Sequence, residues 1–135
     1  MHGSWYEYFL CMNQSGTVIY QYTFTIKIGI NHKYLIIAKD EKMTYKGYGF
    51  IEHNNLIIKL VYDDKISKET SWLRFILPTV TNRNTMLGLW LSYDFNNNIS
   101  SGISILSRTQ LSQDEIWNLC GNVKKGNGPL MYIQQ

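Results

Sequence analysis

Apolar and polar positions alternate along most of this 135-residue chain, in short runs separated by turn-forming residues. The longest run covers residues 17–28. There Val18, Tyr20, Tyr22, Phe24, Ile26 and Ile28 fall on one face, against Gln21, Thr23, Thr25 and Lys27 on the other. A period of two held over that length predicts a half-buried strand. Similar runs at residues 4–12, 34–39, 43–53, 56–62, 71–77, 86–95 and 99–108 predict seven more strands. The connections carry turn chemistry: Asn13-Gln14-Ser15-Gly16, residues 29–33, Asp40-Glu41, Asn54-Asn55 as a two-residue hairpin turn, and Asn96-Asn97-Asn98. A polar stretch at residues 63–69 precedes the sixth strand, Pro78 ends it, and a loop at residues 79–85 follows.

Strand-length runs joined by short links predict an antiparallel meander. Eight such strands with one apolar face predict closure into an all-β, up-and-down barrel, which removes both sheet edges. One helix signal follows the strands. Ser112 and Glu115 have capping-box spacing, Leu111 and Ile116 the spacing of a hydrophobic staple, and Gly121 is a natural stop. Ile116, Trp117, Leu119 and Cys120 give this short helix, residues 113–120, an apolar side that is expected to pack over one barrel end. The whole chain, 1–135, reads as one domain, with neither repeat nor low-complexity segment.

Composition removes several function classes. With 44% apolar and 14% aromatic residues and a net charge of +3, the chain is not disordered. No apolar run approaches the roughly 18 residues of a membrane span, and residues 1–4 do not begin a signal peptide. The lysines are scattered without a basic stripe, which argues against duplex nucleic acid as a partner. Cys11 and Cys120 match no metal spacing and read as reduced thiols, unless the fold brings them together. His2, His32 and His53 fall at a terminus and near turns, and no nucleophile or metal motif is present. Gly47-Tyr48-Gly49 lies inside a strand, where paired glycines permit sharp coiling or leave interior room rather than cradle a phosphate. These features point away from an enzyme, a metal and a cofactor.

A binding module fits better, since eight-stranded barrels hold one small ligand. The strand aromatics Tyr20, Tyr22, Tyr45, Trp72, Trp90 and Tyr93 are candidate contacts, although for any single one core packing is the better reading. Ten tyrosines are more than a purely structural core would use, because their hydroxyls need partners when buried, and aromatic rings stack on nucleobases. Of three arginines, Arg83 falls in a loop. Arg74 is in phase with Trp72 and Ile76, so it is expected to point inward, toward an anionic ligand or a carboxylate such as Glu7 or Asp94. Arg108 ends the last strand, where it can stack on Trp5 of the first; it is also a candidate ligand contact.

Gly3-Ser4-Trp5 with Arg108 resembles the closure of lipocalin-type barrels. More of the chain resembles the β-strand-rich sensor domain of bacterial CBASS antiphage effectors. The likeness lies in Gly3-Ser4-Trp5, Tyr45-Lys46-Gly47-Tyr48-Gly49, Leu87-Gly88-Leu89-Trp90, Ser101-Gly102 and Leu106-Ser107-Arg108. In that family a small barrel follows two transmembrane helices and recognises a cyclic dinucleotide made by a partner nucleotidyltransferase. The resemblance implies a cyclic dinucleotide ligand, self-association on binding, and membrane disruption by the intact effector. It also implies a cytoplasmic domain of an inner-membrane protein whose apolar helices lie upstream of Met1. The alternatives are a lipocalin-like carrier of a small apolar molecule and a scaffold acting through its outer surface.

Overall fold

The computed structural model describes residues 1–13, 16–62, 70–78, 83–93 and 98–121, with the side chains of residues 12 and 13 left aside. The strands are β1 (Gly3–Asn13), β2 (Gly16–Ile28), β3 (Tyr34–Lys39), β4 (Thr44–Glu52), β5 (Asn55–Tyr62), β6 (Thr70–Ile76), β7 (Thr85–Tyr93) and β8 (Ile99–Ser107). They form one closed antiparallel barrel in sequence order, as the alternation predicts. Helix α1 (Gln113–Cys120) follows. No helix among the described residues is long and apolar enough to cross a membrane.

The inward positions change character along the barrel axis. Toward the end where β1 begins, Trp5, Ile26, Ile36, Leu56, Phe75, Met86 and Leu106 are all buried and fill the interior. Trp5 and Arg108 seal that end. The guanidinium carbon lies 3.9 Å from the Trp5 ring centroid, while Nη1 and Nη2 donate to the carbonyls of Ser4 and His2 at 3.2 and 2.9 Å. The closure expected of Arg108 is therefore present, with hydrogen bonds that also pin the N-terminal strand.

Closure is uneven. β1 pairs with β2 from Gly3 to Asn13, but with β8 only from Tyr6 to Phe9. Above Phe9 the ladder stops, and the Trp90 indole N–H donates across the gap to the Leu10 carbonyl at 3.2 Å. Trp90 faces Gly102 on β8, where a Cβ would approach its indole nitrogen to 2.8 Å, so only glycine admits the ring. Gly47 serves coiling instead: a Cβ there would collide with the Lys59 carbonyl.

Three sequence expectations need correction. Helix α1 packs on the outer wall of β1 and β8, not over a barrel end. Its Ile116 and Cys120 cover Tyr8, Leu10, Ile103 and Ile105, because both faces of these strands are apolar and the outer one must also be shielded from water. The hairpin turn between β4 and β5 is His53-Asn54, both at positive φ (48° and 66°), with Glu52 paired to Asn55. And β6 runs one residue out of phase with the expectation: Leu73 and Phe75 are buried, whereas Trp72, Arg74 and Ile76 face out. The α1 cap itself is as expected, with Ser112 Oγ accepting from the Glu115 amide at 3.1 Å and Glu115 Oε1 from the Ser112 amide at 3.1 Å.

Candidate ligand-binding cavity

Beyond the packed half, the inward positions mix large rings with small hydroxylic side chains, and the barrel no longer fills. The result is a cavity of about 420 Å³, within the roughly 300–1,000 Å³ usual for small-molecule sites. Phe9, Cys11, Tyr22, Tyr45, Leu60, Leu73 and Trp90 form its walls, and Ser71 and Ser92 the gaps between them. Tyr20, Asp40, Met43, Tyr93, Asn98, Ile99 and Ser100 line it from strand ends and a turn at the opposite end from Arg108.

An aromatic belt organises the walls. Phe9 is its hub: it stacks on Tyr20 at 5.0 Å between centroids and meets Tyr22 and Trp90 edge-on at 5.3 and 5.6 Å. Tyr22 continues to Tyr45 at 5.8 Å, and Tyr45 to Tyr62 at 5.4 Å. Such contacts hold the rings in place, each worth about 0.5–1.5 kcal/mol beyond burial. Ser71 Oγ and Ser92 Oγ share a 2.6 Å hydrogen bond, which satisfies both hydroxyls without a bulky side chain.

Glu7 lines the cavity in the same inward row as Trp5, Phe9 and Cys11. It is buried, and its Oε2 accepts from Ser104 Oγ at 2.8 Å. Oε1 has no hydrogen-bond partner among the described residues. Burial lifts the carboxyl from its ordinary 4.5 to about 7, against a smaller downward pull from the Ser104 hydroxyl. At neutral pH this group can therefore either donate or accept.

The candidate residues fall in two places, the interior cavity and an outer groove of about 340 Å³ where Trp72 and Arg74 meet Trp90. Tyr22, Tyr45 and Trp90 come together in the cavity wall, and Tyr20 and Tyr93 join them. Trp72 does not: it is 40% exposed on the outer wall beneath the Lys59 ammonium, which lies 5.1 Å from its ring. Arg74 also points outward and donates from Nε to Asn55 Oδ1 at 3.2 Å, so neither an interior anion nor Glu7 is its partner. Asp94, the other carboxylate considered, lies outside the described residues. Arg108 closes the packed end, away from the cavity. No Lys, Arg or His lines the cavity among the described residues.

Cys11 lines the cavity, Cys120 on α1 packs against the outer wall of the barrel, and both are free thiols. Among the described residues no cluster of three His, Cys, Asp or Glu could hold a metal. Sequence reasoning missed Glu7, Phe9, Ser71 and Ser92 as site residues. Glu7 had a signal, being in phase with Trp5 and Phe9, but Tyr6, Tyr8 and Leu10 on the other face are as apolar and hid which side was inside. No family model, curated protein or solved structure matches this chain.

Proposed function

We propose that the barrel is a non-enzymatic ligand-sensing domain whose cavity takes a base-bearing small molecule, a cyclic dinucleotide being the member that the sequence resemblance favours. The observation that carries this reading is the aromatic belt from Trp90 through Phe9 to Tyr22 and Tyr45, set around an unfilled interior. Stacking on such rings is worth about 1–3 kcal/mol per base. The phosphates do not enter: with Arg74 outside, they remain at the mouth, where Lys42 lies exposed in the turn between Asp40 and Met43. The Asp40 carboxylate is already engaged there, accepting from the Lys42 and Met43 amides at 2.8 and 2.7 Å.

Self-association on binding belongs to the same proposal. Outward-facing Trp72, Leu89 and Leu91 on β6 and β7 form a continuous exposed apolar strip, with Trp72 opposite Leu91 and Arg74 opposite Leu89. Apolar surface of this kind is where copies would meet. A carrier of a small apolar molecule is the second reading. It is favoured by the lack of any cation among the described cavity-lining residues.

Thermal shift against cyclic dinucleotides and, separately, medium-chain fatty acids and alcohols separates the two. At 100 times its dissociation constant a ligand stabilises by about 2.7 kcal/mol. Stabilisation by a dinucleotide is the expected result. Stabilisation by the apolar panel alone would replace the first reading with the second.

A further inference from the structure

Glu7 is an expensive residue to place inside a barrel. A buried carboxyl without a cation costs stability unless hydrogen bonds compensate, and among the described residues the only one it receives is from Ser104. An isosteric apolar residue would pack the same position at no such cost. Its free oxygen belongs to a cavity-lining side chain, amid walls otherwise supplied mainly by rings. That combination is what reads the edge of a planar ligand: rings hold its faces, and one acceptor group addresses its rim.

Resting on the sensing function proposed above, we propose that Glu7 is the base-selecting residue of the cavity, its carboxylate accepting the adjacent N1–H and exocyclic N–H of a guanine stacked within the aromatic belt. Among the common bases guanine alone offers two adjacent donors of this kind on its pairing edge; adenine and cytosine each offer a donor beside an acceptor, and uracil a donor between two acceptors. A carboxylate has two oxygens and about four acceptor sites, so Oε2 can keep its Ser104 bond while both oxygens face the base. Two donors directed at the carboxylate supply compensation beyond the single bond that Ser104 gives it.

Among the described residues the other titratable groups facing the cavity are Cys11 and Asp40 and the tyrosines Tyr20, Tyr22, Tyr45 and Tyr93. Of these, Tyr22 is the β2 register partner of Glu7, whereas Ser104 faces it from β8 without titrating. Burial pushes the Cys11 thiol up, away from neutrality. Free Glu7 takes up its proton near pH 7, and guanine binding favours the ionised form. Binding therefore expels a proton, and affinity rises by about tenfold from pH 6 to pH 8 before levelling.

Calorimetric titration of the full chain with cyclic di-GMP and cyclic di-AMP, at pH 6 and pH 8, tests this. The expected result is a preference for cyclic di-GMP that grows with pH, and at least a tenfold loss of that preference in Glu7→Gln, whose pH dependence disappears. Gln keeps a partner for Ser104, so the fold is retained; the pH profile of the unmodified protein tests the same role without any variant. Equal affinity for both dinucleotides, or a guanine affinity that falls as pH rises, overturns the role of Glu7 and leaves the sensing function standing. Binding of neither dinucleotide overturns both.

Discussion

The two halves of this barrel are built from the same eight strands in the same inward phase, yet one is solid and the other hollow. At the Arg108 end, Phe24, Ile26, Ile36, Leu56, Ile58, Phe75, Met86 and Leu106 interdigitate and are almost wholly buried. At the other end the same rows continue as Glu7, Tyr22, Tyr45, Ser71, Trp90 and Ser92 and enclose about 420 Å³. Side-chain volume makes the difference: the small hydroxyls of Ser71 and Ser92 sit among large rings that touch one another, so the wall is held together without the interior being filled. The solid half supplies stability, and this frees the hollow half to carry groups, such as Glu7, that a core would not tolerate.

The largest effect that separates the halves is cavity creation. Phe75→Ala in the solid half should cost about 3–5 kcal/mol in denaturant unfolding, because close packing cannot relax into the space. A loss near 1 kcal/mol would mean that the solid half is no better packed than the hollow one.

Glu7 gives the next largest effect, and it belongs to the hollow half. Its folded value near 7 stands above the ordinary 4.5, so the folded state holds the proton more tightly than the unfolded chain. The stability this confers is complete below about pH 4.5 and is lost as pH rises through 7, a total of about 3 kcal/mol. Unfolding free energies at pH 5, 6.5 and 8 should fall for the native sequence relative to Glu7→Gln, the two curves diverging upward in pH. Parallel curves would show that Glu7 is solvated.

Arg74→Ala gives the smallest effect. The side chain is exposed, and among the described residues its hydrogen bond is to Asn55, so melting and ligand affinity should change little, within about 0.5 kcal/mol. A loss of binding would move the ligand to the outer groove that Arg74 shares with Trp72 and Leu89.

Legibility in the sequence followed the same division. The barrel, its strand order and the Ser112–Glu115 cap could be read because period two and capping spacing are local signals. The phase of β6 could not. Trp72, Arg74 and Ile76 alternate with Ser71, Leu73 and Phe75, and both sets contain large apolar residues; the slip moved Trp72 and Arg74 from wall to surface. The outer position of α1 was hidden for a related reason, since Tyr8, Leu10, Ile103 and Ile105 look inward-facing until a helix is seen to cover them. Of the candidate contacts, the rings Tyr22, Tyr45 and Trp90 were found by residue type, whereas Ser71 and Ser92 matter through what they leave empty, which no single-residue signal records.

If the hollow half is a ligand site and not merely poor packing, filling it must abolish stabilisation by ligand. Ser92→Leu projects a side chain into that space and forfeits only the Ser71 hydrogen bond, at about 1 kcal/mol. Thermal unfolding of the native sequence and of Ser92→Leu, each with and without saturating cyclic di-GMP, tests the claim directly. The account predicts ligand stabilisation of about 2.7 kcal/mol at 100 times the dissociation constant for the native sequence, and none for Ser92→Leu. Equal stabilisation of both would place the ligand elsewhere on the molecule and contradict it.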